Sequence, residues 1–271
     1  MLSVIIIAKN EEDRIRTCLE SVKWVDEIIV VDNGSEDLTL EIAKKYTDKI
    51  FQFKDLDFAS LRNKAFEKSS GDWVLYVDAD ERVLDDLKKE IEVLITFADF
   101  SAYAISRKNI IFGEEIKYGP FWPDWVIRLF KREDFESWVG EVHEQPKFKG
   151  KLGYTKNSIL HLTHRGVDQF MKKVMDWSLI DAKLRLDVNH PKMTKWRFIR
   201  IFISEIFNQG IKRKGFFSGT IGIIDSMMQV FSMYITYVRL WELQHKEPLK
   251  DTYNKIDEKL LENNFQYGVK R

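Results

Sequence analysis

The sequence predicts an α/β fold, a mostly parallel central sheet covered by helices and followed by a helical region. Three observations carry this. Short apolar runs alternate with amphipathic segments over the first 95 or so residues, each run ends on carboxylates or amides, and the pattern after Arg165 is helical almost to the last residue.

The first run, Ser3–Ala8, is too short and lacks the basic start and small-residue cleavage site of a signal peptide, so it reads as a strand. Glu27–Val31, Lys49–Phe53 and Trp73–Val77 are the next three strands. Between them Arg14–Val22, Leu38–Tyr46 and Ala59–Lys68 have helical spacing without internal Gly or Pro. Ser101–Phe112 alternates and Val126–Phe130 is a further strand, in a region holding three of the five prolines. Helices are expected near Val167–Asp187, Trp196–Ile211, Thr220–Glu242 and Asp251–Glu262. Two domains follow, 1–165 around the sheet and 166–271 helical.

With 43 basic and 43 acidic residues among 271, the chain has no net charge, which disfavours a nucleic-acid binder. The balance is a cancellation. Asp72 to Glu92 holds eight acidic and three basic residues, whereas Lys192 to Gly215 holds seven basic residues against Glu205. The longest uncharged stretch near the C-terminus, Ser226–Val238, has 13 residues, short of the ~20 of a spanning helix. The single cysteine, Cys18, excludes an intrachain disulfide and a cysteine-built zinc site, suits a reducing compartment, and reads as a buried helix residue.

In open parallel sheets ligands bind beyond the carboxyl ends of the strands. Those ends read Ala8–Glu12 (AKNEE), Val31–Asp37 (VDNGSED), Lys54–Asn63 (KDLDFASLRN) and Val77–Glu81 (VDADE). Taken singly, Asp32 suits a turn and Asp57 a helix cap. Jointly the carboxylates converge on one sheet edge, and Asp78 and Asp80 are two residues apart directly after a strand. Like charges that close need a cation, and hard oxygen ligands select Mg²⁺ or Mn²⁺, ions that bridge diphosphates. No glycine-rich phosphate loop follows the first strand, which disfavours dinucleotide oxidoreductases and P-loop enzymes.

SVIIIAKNEE, DEIIVVDNGSEDLT, FASLRNKAFEKSSGDWVLYVDADE, RLFKR and WVGEVHE resemble glycosyltransferase family 2, inverting enzymes of GT-A fold, and within it the lipopolysaccharide-core β-glucosyltransferase subgroup. The resemblance covers about residues 1–165. It implies that Ala8, Asn10, Glu12 and Asp32 line the base and ribose of a nucleotide-sugar. Arg62 would face the ribose or diphosphate with Asp57 nearby, and Asp78-Ala79-Asp80 would be the DxD motif, with Asp80 on the metal and Asp78 on ribose or a metal-bound water. The segment departs from the family pattern at Ala8 and Lys9.

An inverting displacement at the anomeric carbon needs a general base for the acceptor hydroxyl and an electrophile for the leaving diphosphate. Glu144 is the leading base by its place in WVGEVHE, with His143 beside it, Glu141 in reserve and Asp124 third. A solvated charged strand is the plainer account of Glu141 and Glu144. His161 and His164 are either core histidines or the source of one further metal ligand beside Asp80. Aromatic residues between Tyr103 and Trp138 suit an acceptor platform as well as a sheet-edge cover. The apolar helix after 219, behind its basic flank, suits a core, an anionic membrane surface or a homo-oligomer contact.

The expected activity is metal-dependent transfer of a hexose from a nucleotide-sugar, UDP-linked above others, to a glycan or lipid-linked acceptor in cell-envelope synthesis. It would take place in the cytoplasm at the inner face of the plasma membrane. The rivals are a Mg²⁺-dependent nucleotidyltransferase and a non-catalytic membrane scaffold on the same fold.

Overall fold

The computed structural model describes residues 1–54, 57–97, 99–118, 122–140, 144–245 and 247–262. They fall into two compact units, Met1–Gly166 and Val167–Arg271.

In the first unit, strands β1 (Leu2–Ala8), β2 (Glu27–Asp32), β3 (Ile50–Gln52) and β4 (Trp73–Asp78) are parallel, and the sheet goes on through β5 (Glu81–Arg82), β6 (Ala102–Ile111), β7 (Glu114–Glu115), β8 (Asp124–Lys131) and β11 (Leu152–Leu162). The order is β3-β2-β1-β4-β8-β6-β11-β5, with β7 on β6. β8 runs antiparallel between β4 and β6, and β11 is again parallel to β6. A separate hairpin joins β9 (Phe135–Val139) to β10 (Gln145–Phe148).

Chain direction across the sheet reverses at β1, whose neighbours are β2 and β4. Ala8 pairs with Asp32 and Ile7 with Asp78, so the polar strand ends of all three meet at that switch point. Alternation along β1 supplies both sides of the core. Leu2, Val4, Ile6 and Ala8 pack with Ile15, Cys18, Leu19 and Val22 of α1 (Glu12–Val22) and with Leu87 and Ile91 of α4 (Asp85–Phe97). Ile5 packs on the other face with Ala59, Leu61 and Ala65 of α3 (Phe58–Lys68) and with Phe130, Phe135 and Trp138.

The structure shortens the expected second helix to α2 (Thr39–Ala43): Leu38 bonds to Glu12 in the site described below, and Lys44–Tyr46 leave the helix in a turn whose Lys45 and Tyr46 N–H groups reach only Ile42 and Ala43. It adds α4, whose two buried residues, Leu87 and Ile91, lie within the most acidic stretch of the chain, and the β9–β10 hairpin.

The second unit holds α5 (Val167–Asp187), α6 (Lys195–Ile206), α7 (Gly219–Leu243) and α8 (Leu249–Glu262). Phe170, Val174, Ser178 and Ala182, four residues apart, form the buried stripe of α5, which packs along α7. The helix expected to run to Ile211 breaks at Ile206 into a π-helical turn, Phe207–Lys212. A Cβ on Gly222 would lie 2.3 Å from the Gly215 carbonyl oxygen, so only glycine admits that approach. At 25 residues, α7 is long and apolar enough to cross a membrane by length and composition, although its uncharged core is shorter.

Candidate active site

The loops after β1 and β2 are sewn together by their own polar groups. Asn10, at φ 54°, donates its N–H to Ser35 Oγ at 2.9 Å, and its Oδ1 accepts from the Glu36 N–H at 2.8 Å. Glu12 donates its N–H to Asp37 Oδ2 at 3.1 Å and accepts from the Leu38 N–H at 2.9 Å. The Asp32 carboxylate is fully buried and closes the turn by accepting from the N–H groups of Gly34 and Ser35, with Gly34 at φ 82°. Expected to line a nucleotide, Asp32 is here the residue that shapes the turn, while Asn10 and Glu12 brace the loop above it. Ala8 is buried at the strand end.

Asp57 caps α3, accepting from Ser60 N–H at 2.9 Å and Ser60 Oγ at 2.6 Å, and these bonds lower its pKa. It is exposed, and its hydrogen bonds go to Ser60 of its own helix. The cap is therefore its observed role.

Arg62, one turn into α3, is 4% exposed and bridges two strand systems. Its Nη2 donates to Asp78 Oδ1 at 2.9 Å and its Nε to Glu144 Oε1 at 3.1 Å, while its guanidinium lies 4.9 Å from the Trp138 ring centroid. Two further arginines, from the antiparallel strands, close on the same carboxylate. Arg107 Nη2 donates to Asp78 Oδ2 at 3.1 Å, and Arg128 donates to that oxygen as well. Behind them Glu81, wholly buried, accepts from Arg107 Nε at 2.7 Å and from the Asp78 N–H at 2.9 Å. Burial alone would raise the Asp78 pKa, but Arg128, Arg62 and Arg107 outweigh it and hold the group far below the ordinary carboxylate range.

This differs from the expectation that Asp78 and Asp80 share a cation. Three guanidinium groups already compensate Asp78. Arg107, Arg128 and Glu81 are the residues that the sequence did not single out. Arg128 opens the RLFKR motif and Glu81 closes VDADE, while for Arg107 its position in an alternating strand was the cue.

Asp80 lies beyond the end of β4, and the Leu162 N–H donates to its carbonyl at 2.9 Å, which brings β11 alongside. His161 Nε2 is 3.5 Å from Asp80 Oδ2. On the far side of the ring, Nδ1 is 2.6 Å from Asn109 Oδ1, and Asn109 Nδ2 donates to Asp124 Oδ2 at 3.0 Å. A carboxylate only accepts, so the Asn109 amide turns its NH₂ to Asp124 and its oxygen to His161. The imidazole then carries its proton on Nδ1. Nε2 is then the ring atom turned toward Asp80 Oδ2. Asp80 and His161 thus fit a divalent ion, with Asn109 and Asp124 orienting the histidine from behind. Among the described residues no group of three or more His, Cys, Asp or Glu side chains is arranged to hold a metal. Ala79, buried between the two aspartates, offers its carbonyl to Arg82 Nη1 at 2.8 Å.

Glu144 lies at the edge of a cavity of 550 Å³ walled by Arg107, Arg128, Trp125, Trp138 and Tyr154. Trp125 and Tyr154, 40% and 60% exposed, meet edge to face with centroids 5.1 Å apart. Tyr103 and Trp138, by contrast, belong to the core. Glu141 and His143, proposed as reserve base and as a neighbour of Glu144, lie outside the described residues.

A model described as Glycosyl transferase family 2 matches residues 3–150. An uncharacterised glycosyltransferase of Rickettsia typhi is 29% identical over 260 residues, covering 90% of this chain and 88% of the relative. LpsC of Rhizobium meliloti, a lipopolysaccharide core biosynthesis glycosyltransferase, is 26% identical over 258 residues, covering 89% and 92%. Among solved structures, glucosyl-3-phosphoglycerate synthase of Mycobacterium tuberculosis with Mg²⁺ and UDP aligns at a TM-score of 0.45 and 16% identity, covering 71% of this chain and 80% of that one.

Proposed function

The chain belongs to glycosyltransferase family 2, and on that premise we propose that it transfers a hexose from a UDP-sugar to a glycan or lipid-linked acceptor in cell-envelope synthesis. It is an enzyme of GT-A fold. The observation that carries the finer reading is the facing pair Asp80 and His161 beside the arginine-compensated Asp78, at the switch point of the sheet.

Asp80 and His161 would hold Mn²⁺ or Mg²⁺, which when bound stabilises charge developing on a leaving diphosphate. Arg62, Arg107 and Arg128 hold Asp78 ionised and fixed, so its oxygens can orient a ribose hydroxyl without moving. Glu144 would take the acceptor hydroxyl's proton. Its bond to Arg62 keeps the carboxylate aimed, and the cavity beside it supplies room for an acceptor sugar. The Trp125 and Tyr154 rings offer faces on which the C–H surface of a pyranose stacks. The relation to a lipopolysaccharide core enzyme supports an envelope glycan as the acceptor class.

The test is a thermal-shift screen of nucleotide-sugars with and without Mn²⁺, because a ligand that binds only the folded state raises its apparent stability. UDP-sugars are expected to raise Tm, and to do so more with Mn²⁺. A chain stabilised by no UDP-sugar under either condition would overturn the donor assignment.

A further inference from the structure

We propose that the helical unit docks on an anionic lipid surface through α6 and the π-helical turn after it. This goes beyond the transferase reading and does not rest on it.

The helix is inside-out by the standard of a soluble protein. Phe198 and Ile201 turn inward against the small core of Ala182, Met193 and Leu240, yet no residue of α6 is fully buried. Its outer face is apolar. Trp196 is 70% exposed, Ile199 51% and Ile203 61%, and at 100° per residue the three fall within one arc of roughly 60°. Phe207 continues the arc at 59%, and Phe217 beyond the turn is 73% exposed. Exposed apolar surface of this extent marks an interaction site.

The charges around it choose the occupant. Between Lys192 and Lys214 there are seven basic residues and one acidic residue, Glu205. On the helical wheel Lys195 and Arg200 stand on the two sides of the apolar arc, each roughly 40° from its edge. A second copy meeting this face through a two-fold axis would set like charges against like. An anionic bilayer instead receives the indole and aliphatic side chains at its headgroup boundary and attracts the flanking cations. With 12 residues α6 is far too short to span, so it would lie in the interface. α7 shows the same inversion: Gly222, Asp225, Ser226 and Thr236 are among its buried residues, while Ile223, Ile224, Met227 and Phe231 are 40–48% exposed.

Flotation of the full chain with vesicles tests this. It is expected to float with phosphatidylcholine vesicles containing phosphatidylglycerol, not with phosphatidylcholine alone, and to be released by high salt. The double variant Lys195→Glu/Arg200→Glu should lower partitioning at least roughly five-fold per residue changed, and Ile203→Asp should abolish flotation. Both variants should keep wild-type far-UV dichroism and melting temperature, since the altered side chains are not buried. Should Ile203→Asp fold poorly, the charge-reversal variant decides by itself. Absence of flotation with the anionic vesicles, or equal flotation of wild type and the charge-reversal variant, would overturn the proposal. So would a wild-type dimer in solution that Ile203→Asp converts to monomer without any vesicle binding, which would assign the face to a second copy.

Discussion

His161 Nε2 faces Asp80 Oδ2 at 3.5 Å while Asn109, itself held by Asp124, takes the opposite ring nitrogen. A first prediction follows from that chain of four groups. Asp80→Ala or His161→Ala should remove Mn²⁺ binding measured by calorimetry. Asn109→Ala, which leaves both proposed ligands in place, should weaken it about 10- to 100-fold, the usual effect of losing an orienting partner. Unchanged Mn²⁺ affinity in Asp80→Ala would show that the ion, if bound, sits elsewhere.

Glu144 is held by Arg62 but borders the cavity, a position suited to a base and not merely to an ion pair. Glu144→Gln keeps an oxygen for Arg62 and loses proton affinity. UDP-sugar binding should persist within a few-fold, and kcat should fall by about 10²- to 10⁴-fold. Retained turnover would move the role to Glu141 or Asp124.

Asp78 is the common anion of three arginines, so its removal should be felt in folding. Asp78→Ala leaves Arg62, Arg107 and Arg128 crowded with less compensating charge, and the expected cost is about 3–5 kcal/mol in urea unfolding, the range for breaking a buried ion pair. A variant with wild-type unfolding midpoint would mean that Glu81 and Glu144 suffice for the cluster.

At the opposite end of the sheet, Glu27 accepts from Ser3, Lys49 and Ser70 with its side chain 3% exposed. Burial opposes ionisation there, but these hydrogen bonds outweigh it and lower the pKa from 4.5 to about 2. The folded state therefore binds the proton less readily than the unfolded chain. The contribution is full above pH 4.5 and is lost as pH falls from there toward 2, amounting to roughly 3 kcal/mol for a shift of this size. Glu27→Gln should flatten the acid limb of stability against pH between those values. An unaltered acid limb would place the sensitivity in other carboxylates.

The architecture was legible because it is written in local periodicity. Apolar runs of five or six residues, separated by amphipathic segments without Gly or Pro, leave a parallel sheet as the way to bury both faces, and the expected runs match β1, β2, β3 and β4 to within a residue or two. The motifs at the strand ends also led to the family. Periodicity was less informative for α4, where charged neighbours mask Leu87 and Ile91, and for α6, where an unbroken helical spacing gave no sign of the π-helical turn.

What the sequence by itself determined is the fold class, the family and the strand ends at which polar residues gather. Which of those residues do structural work was decided by tertiary structure alone. Asp32 closes its own turn and Asp57 caps its own helix, contacts that singly were the plainer expectation. Asp78 meets Arg107 and Arg128 from 29 and 50 residues away, because β8 runs antiparallel between β4 and β6 and brings both strands against it. A side chain's partner is set by strand order and register across such distances, and these depend on how the whole sheet closes its core. Spacing along the chain records only neighbours within a turn or a strand, so it offered His161 beside Asp80 as one of two alternatives but could not set Asn109 and Asp124 in line behind it.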